Sequence, residues 1–366
     1  MMNTSRKLLI SCIIVLTFFL ASCAAPGANS NDTSAIMQKT FSPTSTTNTI
    51  AIVDNKMFYQ TIDINSSTFC GLDLVNGKTT AITTLSNYVM DSGSAVVSGD
   101  SVYKYITVAD DNGYPQNELY RISCSDFSME RIFVDKECAP LISLYQVPAG
   151  LLALKITDSK TYFDLFTESN QSSNVVLEAP KSETFVTATV SDDTLFVFAY
   201  AQDSNGGYDY FIRKYTLDGY DEMGVISLDN IEKYIVQARI AEMDVLGDYL
   251  FLNNYSNAGL ISVINEDGSV SSQHEISNIA RLPSDIDTRN ALFYVRQSNT
   301  YYVFDTISGD LQQMELSIDN GYLIRSMFAD GNNVVVKTRI NYENKMEEYN
   351  EEIYVFEYND LLPVSH

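Results

Sequence analysis

The stretch Asn290–Leu316, NALFYVRQSNTYYVFDTISGDLQQMEL, decides the fold. It contains a short apolar strand, Leu292–Val295, and a second, aromatic strand, Tyr301–Asp305. The turn Ser308-Gly309 then leads into a third, amphipathic strand, Leu311–Leu316. Val, Phe and Tyr suit a pleated, half-buried surface, and Gly supplies the positive φ of a tight turn. The stretch therefore predicts consecutive strands joined by short turns.

The same arrangement recurs along the chain, about every 46 residues on average. The apolar strands that follow a turn begin at Met57, Val102, Leu151, Leu195, Leu250, Leu292 and Val334. In the second unit, four strands are predicted at Ala95–Ser98, Val102–Ile106, Glu118–Ser123 and Met129–Phe133. Seven strand-only units of this length are typical of a β-propeller. The sequence thus predicts an all-β fold, a seven-bladed β-propeller of four-stranded blades, over residues 48–366.

Runs such as Leu195–Phe198 are apolar without alternation, which indicates strands that are covered on both faces. A pair of β-sandwiches and a right-handed β-helix are the competing folds. A sandwich rarely gives seven evenly spaced copies, and a β-helix has shorter rungs. The fourth strand of the last unit is predicted to be either the stub Leu361–Val364 or a piece of the N-terminal segment around Ile36–Phe41.

The N-terminus has the features of an export signal. Arg6 and Lys7 precede Leu8–Leu20, an apolar run that is shorter than the roughly 20 residues a spanning helix needs. The following Leu20-Ala21-Ser22-Cys23 resembles the lipobox of bacterial lipoproteins. The resemblance implies cleavage after Ser22 and a diacylglyceryl group on Cys23, which would hold the protein on the extracytoplasmic side of the cell membrane. An ordinary signal peptide with a chance cysteine is the alternative.

Residues 1–22 are thus predicted to be a lipoprotein signal peptide, and the Ser/Thr-rich residues 23–47 a flexible tether. Removing residues 1–22 removes two basic and no acidic residues, which leaves 21 basic and 47 acidic residues and a formal charge of −26. That charge disfavours binding to nucleic acid or to anionic lipid headgroups. Attachment to the membrane is therefore expected through the lipid.

A second resemblance concerns the repeats. Leu119-Tyr120-Arg121-Ile122 followed by a turn, with weaker echoes at Arg213–Gly219 and Leu260–Gly268, resembles the propeller repeats of uncharacterised surface lipoproteins of Gram-positive bacteria. The resemblance covers roughly residues 48–366. It implies the fold and no activity.

Motifs of known enzymes and cofactor sites are missing from the sequence: there is no GxSxG elbow, P-loop, HExxH, CxxC, sialidase Asp-box or Trp. The two histidines are His274, predicted to be exposed on a polar strand, and the last residue, His366. No cofactor and no metal ligand is assigned. Cys124 and Cys138 are close enough in sequence to pair, and otherwise they and Cys70 are small buried hydrophobes.

Acidic segments offer weak alternatives. Asp203–Asp209 and Asp110–Gly113 have oxygens at alternating positions, as Ca²⁺ loops do, but hairpin turns use the same residues. The run Glu347–Glu352 is either a catalytic carboxylate cluster or, with more weight, a solvated loop.

Long loops indicate where a partner would bind. The expanded second-to-third connections, Asp110–Asn117, Ala201–Tyr208 and Asn341–Asn350, share one propeller face with the long blade-to-blade connection near Asn230–Asp244. Acidic and amide residues crowd these loops and favour a basic or cation-assisted ligand.

The predicted function is a membrane-anchored extracytoplasmic module that binds or scaffolds a protein, peptide or glycan at the cell envelope. Two alternatives stay open. A hydrolase or lyase needs convergent carboxylates with raised pKa values in a central pocket. A scaffold for assembling envelope proteins needs a contiguous apolar groove.

Overall fold

Seven four-stranded antiparallel sheets form a ring in the computed structural model, which confirms the predicted seven-bladed β-propeller. The structure describes residues 37–41, 47–63, 66–135, 141–157, 159–202, 204–228, 241–246, 249–254, 260–265, 269–276, 278–282, 287, 289–318, 321–340 and 351–363. Within these ranges no helix has the length and apolar character needed to cross a membrane.

The strands are numbered β1 to β28 in chain order, and each blade is given from the ring axis outward. Blade one consists of β2 (Thr47–Val53), β3 (Lys56–Asp63), β4 (Ser66–Asp73) and β5 (Thr79–Leu85); blade two of β6 (Tyr88–Ser98), β7 (Ser101–Ala109), β8 (Pro115–Ser123) and β9 (Met129–Asp135); blade three of β10 (Leu141–Val147), β11 (Gly150–Ile156), β12 (Thr161–Thr167) and β13 (Ser172–Glu178); blade four of β14 (Glu183–Ser191), β15 (Thr194–Gln202), β16 (Tyr208–Thr216) and β17 (Glu222–Ser227); blade five of β18 (Ala241–Leu246), β19 (Tyr249–Asn254), β20 (Leu260–Asn265) and β21 (Val270–Glu275); blade six of β22 (Ile279–Leu282), β23 (Asn290–Val295), β24 (Thr300–Asp305) and β25 (Leu311–Glu315); and blade seven of β26 (Tyr322–Asp330), β27 (Asn333–Ile340), β28 (Glu351–Glu357) and β1 (Met37–Phe41). Two short 3-10 helices, Glu168–Asn170 and Tyr358–Leu361, complete the described elements.

The predicted repeat corresponds to one strand of each blade. All seven predicted strand starts lie in the second strand, and the four strands predicted for the second unit lie within β6 to β9. First strands of neighbouring blades contact one another from blade one to blade five and between blades six and seven, and β2 contacts β26, so blades one and seven meet.

Turn chemistry explains the register of most hairpins. Asp54 and Asn55 both have positive φ, 51° and 58°, and form the two-residue turn between β2 and β3. Asn and Asp tolerate this conformation better than other side chains, so the sequence favours a tight turn at this point. Blade six is the exception, because β22 ends at Leu282 and β23 begins at Asn290, so no two-residue turn joins these two strands. Pro283 follows β22 in the sequence and cannot donate to the ladder.

One backbone hydrogen bond recurs in five blades and shows that they share a design. The residue after the third strand donates its N–H to a carbonyl in the turn between the first two strands, or next to it. The pairs are Leu74 to Asn55, Cys124 to Asp100, Leu217 to Asp193, Thr306 to Arg289 and Tyr358 to Asn332, at 2.7 to 3.0 Å. Because these groups lie at strand ends, the bond satisfies donors that the ladder leaves unpaired.

The core lies between the blades. The buried apolar side chains of the described residues form seven clusters, each shared by two neighbouring blades. Val197 packs toward blade three and Phe198, the next residue, toward blade five. Successive side chains of a strand point to opposite faces, so a strand covered on both faces is apolar throughout, as predicted for Leu195–Phe198.

The N-terminal strand β1 closes the ring. It pairs antiparallel with β28 from Met37–Val355 to Phe41–Glu351 and so supplies the fourth strand of blade seven. Of the two predicted alternatives, the N-terminal one is therefore found. The C-terminal segment instead forms the 3-10 helix Tyr358–Leu361, whose buried Leu361 packs in the cluster between blades six and seven.

The direction of the strands defines two faces. First-to-second and third-to-fourth connections lie on one side of the ring, here called the turn face. Second-to-third and blade-to-blade connections lie on the other side, the loop face. The predicted long loops therefore share one face, although residues 229–240 and 341–350 lie outside the described ranges.

Candidate functional site

A cleft of about 480 Å³ opens where blades six, seven and one meet. Its charged lining consists of Arg296, Arg325 and Lys337, and this cationic cleft is completed by Asn48, Thr49, Ser326 and Phe328. Arg296 directly follows β23, and Asn48 is the second residue of β2. Both positions are loop-face positions, because first strands begin and second strands end on that face. The cleft therefore lies on the side of the ring that carries the expanded loops.

Local backbone features place Arg296 and Arg325 next to each other. The pairing of β26 with β27 shifts register between Ile324 and Ser326, so Arg325 occupies a β-bulge. Bulges redirect a side chain and are frequent beside functional sites. The loop after Arg296 joins β26 at the same point, since Gln297 N–H donates to the Ile324 carbonyl at 2.8 Å and Ile324 N–H to the Ser298 carbonyl at 2.7 Å. Blade six is thus fixed to blade seven at the two arginines.

Lys337 is the buried member of the cleft, with 2% of its side chain exposed. Its Nζ lies 3.1 Å from a Glu351 carboxylate oxygen and 3.5 Å from Thr49 Oγ1. Burial lowers the pKa of Lys337; the nearby Glu351 charge and hydrogen bond oppose this, and the positive charge of Arg325 lowers the pKa further. The charged ammonium is therefore less favourable here than in water, and a bound anion would stabilise it.

Three cations in one cleft stand out in a chain with a formal net charge of −24. Guanidinium groups present forked donors that match carboxylate and phosphate oxygens. Glu351 lies beside this cleft and pairs with Lys337 at 3.1 Å. The arrangement is suited to holding an anionic group. It does not provide the convergent carboxylates that the predicted hydrolase or lyase would use.

Sequence reasoning missed these residues because they come from three separate segments, namely the turn after β23, strand β26 and strand β27. The available signal was a charge inside an apolar run: Lys337 follows three consecutive valines, Val334–Val336, which are all buried. A lysine in such a position is rarely fully buried unless it has a partner. The prediction of a basic ligand was based on the acidic loops. The cleft, in contrast, is lined by positively charged side chains.

The predicted Ca²⁺ loops do not form a metal site among the described residues. Asp110 Oδ1 accepts the N–H groups of Tyr114 and Asn112, both at 2.8 Å, and these bonds lower the pKa of Asp110. Its carboxylate therefore serves its own turn. Asp203 lies outside the described ranges, and across the part of the chain that is described no three His, Cys, Asp or Glu side chains come together as a metal site would require.

The run Glu347–Glu352 divides at the start of β28. Residues 347–350 lie outside the described ranges, whereas Glu351 and Glu352 are strand residues with 3% and 7% exposure. The predicted solvated loop is therefore wrong for these two. Glu351 pairs with Lys337, and Glu352 accepts a 2.5 Å hydrogen bond from the Tyr354 hydroxyl. Pairing of this kind allows carboxylates to be buried.

The other candidate residues that the structure describes, one histidine and two cysteines, belong to the blades and lie outside the cationic cleft. His274 is half-buried on β21, which corrects its predicted exposure. Its Nε2 lies 3.2 Å from Ser272 Oγ, and burial lowers its pKa. Cys124 is a free, buried thiol between blades one and two, and Cys70 is also free. Cys23, Cys138 and His366 lie outside the described residues.

Comparisons with known proteins show the fold. No protein-family model matches the chain, and no curated protein matches its sequence. Among solved structures, the chain is similar to a prolyl endopeptidase (TM-score 0.53, 10% identity, 82% of this chain and 47% of that one). It is also similar to the β-propeller domain of the trilobed protease from Pyrococcus furiosus (0.52, 13%, 87% and 95%) and to Sqt1 from Saccharomyces cerevisiae (0.50, 12%, 88% and 98%).

These structural similarities concern the fold of the chain. The chain spans about half the length of the prolyl endopeptidase that it matches. At identities of 10–13%, what the chain shares with these proteins is the β-propeller architecture.

Proposed function

We propose that this protein is a lipid-anchored binding module on the extracytoplasmic side of the membrane. It holds an anionic group of a protein, peptide or glycan partner in the cationic cleft. The observation that carries the proposal is the convergence of Arg296, Arg325 and Lys337 on the loop face of an otherwise acidic protein. Rigid propeller strands position these groups, as binding sites on a preformed scaffold require.

The location rests on the sequence around Cys23. An apolar segment of 13 residues that ends at Leu20, followed by Ala21-Ser22-Cys23, favours export and lipidation at this cysteine. Each buried CH₂ of an acyl chain contributes about 0.8 kcal/mol of membrane affinity, so two or more chains hold a protein firmly. The acidic surface adds no attraction to anionic headgroups, which leaves the lipid as the source of attachment.

Replacement of Cys23 tests the anchor. Cys23→Ala is expected to release the protein from the membrane fraction or leave it as an uncut precursor of lower mobility, since the acyl chains have no other attachment point. Fractionation and electrophoresis of the two proteins measure this. Cys70→Ala is the matched control, because it removes a cysteine of the folded ring. If Cys23→Ala fractionates and migrates like the unchanged protein, the anchor is elsewhere.

Replacement of the cleft arginines tests the ligand class. Arg296→Ala and Arg325→Ala are each expected to weaken binding of a labelled hexaglutamate peptide by roughly 10- to 100-fold, the equivalent of about 1.5–3 kcal/mol for a hydrogen bond to a charged group. Fluorescence anisotropy with the full-length protein in detergent measures the dissociation constants. A hexalysine peptide tests whether the acidic loops dominate instead.

Arg289→Ala is the matched control for charge. Arg289 is exposed on the turn face and pairs with Asp305 at 2.6 Å, so its removal lowers the net charge equally without touching the cleft. Unchanged affinity in this variant separates a local site from a general charge effect. Equal losses in all three variants, or tighter binding of hexalysine, would overturn the proposed ligand class.

A further inference from the structure

The direction of β1 determines where the chain enters the ring. In blade seven, β28 follows the second-to-third connection and therefore runs from the loop face to the turn face. β1 is antiparallel to β28, with Phe41 opposite Glu351 at the start of β28 and Met37 opposite Val355 near its end. Met37 therefore lies toward the turn face, on the outer edge of blade seven. Strand β1 thus begins on the turn face.

The distance from this point to Cys23 is limited by chain length. Residues 24–36 separate Cys23 from Met37, which is 13 residues. A fully extended chain spans at most about 3.5 Å per residue, or roughly 45 Å for this segment, and a random coil of the same length averages about 20 Å. The acyl chains would thus lie within roughly 45 Å of the turn-face rim of blade seven, and about 20 Å from it on average for a random coil.

We infer that the propeller is held with its turn face toward the bilayer, while the loop face and its cationic cleft point away. This inference rests on the proposed lipidation of Cys23. In this orientation the cleft is accessible to partners that approach from outside the membrane. The turn face, which is directed at the bilayer, is not accessible to them.

The charge of the turn face indicates how closely it approaches the lipid. Its turns expose a series of carboxylates: Asp54, Asp100, Asp126, Asp192, Asp193, Asp218 and Asp310. Lys78 and Arg289 are exposed on the same face but are outnumbered. Anionic headgroups repel such a surface within a Debye length, about 8 Å at physiological salt. The turn face therefore stands off an anionic bilayer and approaches a zwitterionic one more closely.

Two exposed positions on opposite faces allow a direct test. Ile307 is 75% exposed in a third-to-fourth turn of blade six, and Tyr114 is 71% exposed in a second-to-third connection of blade two. A clickable residue at either position carries the same fluorophore in the full-length lipidated protein. Vesicles with a headgroup-linked quencher then report which label is closer to the bilayer. We expect at least about twofold stronger quenching at position 307, and an increase there when zwitterionic lipid replaces anionic lipid.

Controls separate the two proposals. Val75, 70% exposed in the equivalent turn of blade one, provides a second turn-face label if labelling at 307 disturbs the fold. Co-sedimentation of each labelled protein with the vesicles, and its loss in Cys23→Ala, tests the anchor alone. A protein that sediments but shows equal or stronger quenching at Tyr114 overturns the orientation and leaves the anchor standing. A protein that does not sediment overturns both.

Discussion

Replacing Lys155 with alanine is expected to lower the stability of the propeller by about 3–5 kcal/mol, because two buried carboxylates would lose their counter-ion. Lys155 Nζ lies 2.7 Å from Asp135 Oδ2 and 2.6 Å from Asp164 Oδ2, and only 2% of its side chain is exposed. Asp135 ends β9 in blade two, whereas Asp164 belongs to β12 in blade three. The triad therefore joins two blades, and its loss weakens their interface. The ring of Tyr105, 5.6 Å from Nζ, covers the site.

The shift in the pKa of Lys155 also predicts how its contribution to stability depends on pH. Burial lowers the pKa of Lys155, but Tyr105, Asp135 and Asp164 together raise it by a larger amount. The net shift is therefore upward from 10.5. A lysine with a raised pKa in the folded state contributes stability that is fully present below its unfolded pKa. That contribution is lost only as the pH rises above this value. The effect of Lys155→Ala should therefore persist across the neutral range.

Lys160→Ala is the matched control on the same hairpin. Lys160 pairs with Glu178 at 2.5 Å, but both side chains are about half exposed, so the pair is expected to contribute at most about 1 kcal/mol. In calorimetry, Lys155→Ala should melt roughly 10 °C lower than the unchanged protein, and Lys160→Ala within about 3 °C of it. A triple variant, Lys155→Met with Asp135→Asn and Asp164→Asn, should recover part of the lost stability, because it leaves no unpaired carboxylate at the site. Equal shifts for the two lysine variants would show that the triad is not a determinant of stability.

The repeat could be predicted because each unit carries its own local signals. Turn residues such as Asn55 and Gly309, both with positive φ, mark the ends of apolar strands at regular spacing. Local signals are less regular in blade six, where seven residues of the sequence separate the end of β22 at Leu282 from the start of β23 at Asn290. They also left two alternatives for ring closure, because both terminal segments are short and only the pairing with β28 distinguishes them.

The cationic cleft was not predictable from spacing, since its residues come together only when the ring closes. Arg296 and Arg325 belong to different blades, and a bulge that no sequence motif encodes aims Arg325 at the cleft. Lys337 and Lys155 share a weaker signal: each ends an apolar run, and each is buried beside a carboxylate. Charges in such positions indicate either a structural ion pair or a site. The neighbouring groups distinguish the two cases. Lys155 lies between two carboxylates, as in a structural ion pair, whereas Lys337 lies beside two more cations, as in a site for an anion.

Loss of the closing strand should have the second large effect. Replacing Met37–Phe41 by Gly-Ser-Gly-Ser-Gly keeps the chain length but removes the side chains and the strand propensity of β1. Blade seven would then have three strands, and the outer edge of β28 from Glu351 to Val355 would lose its backbone partner. Each lost hydrogen bond costs about 1 kcal/mol, so the total is several kcal/mol and the melting temperature falls by roughly 10 °C.

The same replacement at Ser30–Ser34 is the matched control, because it changes five residues of the same segment upstream of β1 and is expected to leave the melting temperature unchanged. An unpaired edge on β28 would also template association between chains, so light scattering should rise only in the variant that lacks β1. Residues 353–355 make this edge prone to association, since Ile353, Tyr354 and Val355 are all buried in the closed ring. If both variants melt together and stay monodisperse, blade seven is complete with three strands. In that case the chain leading to Cys23 is not held at the turn face, and both the closure of the ring and its orientation on the membrane would have to be explained by other contacts.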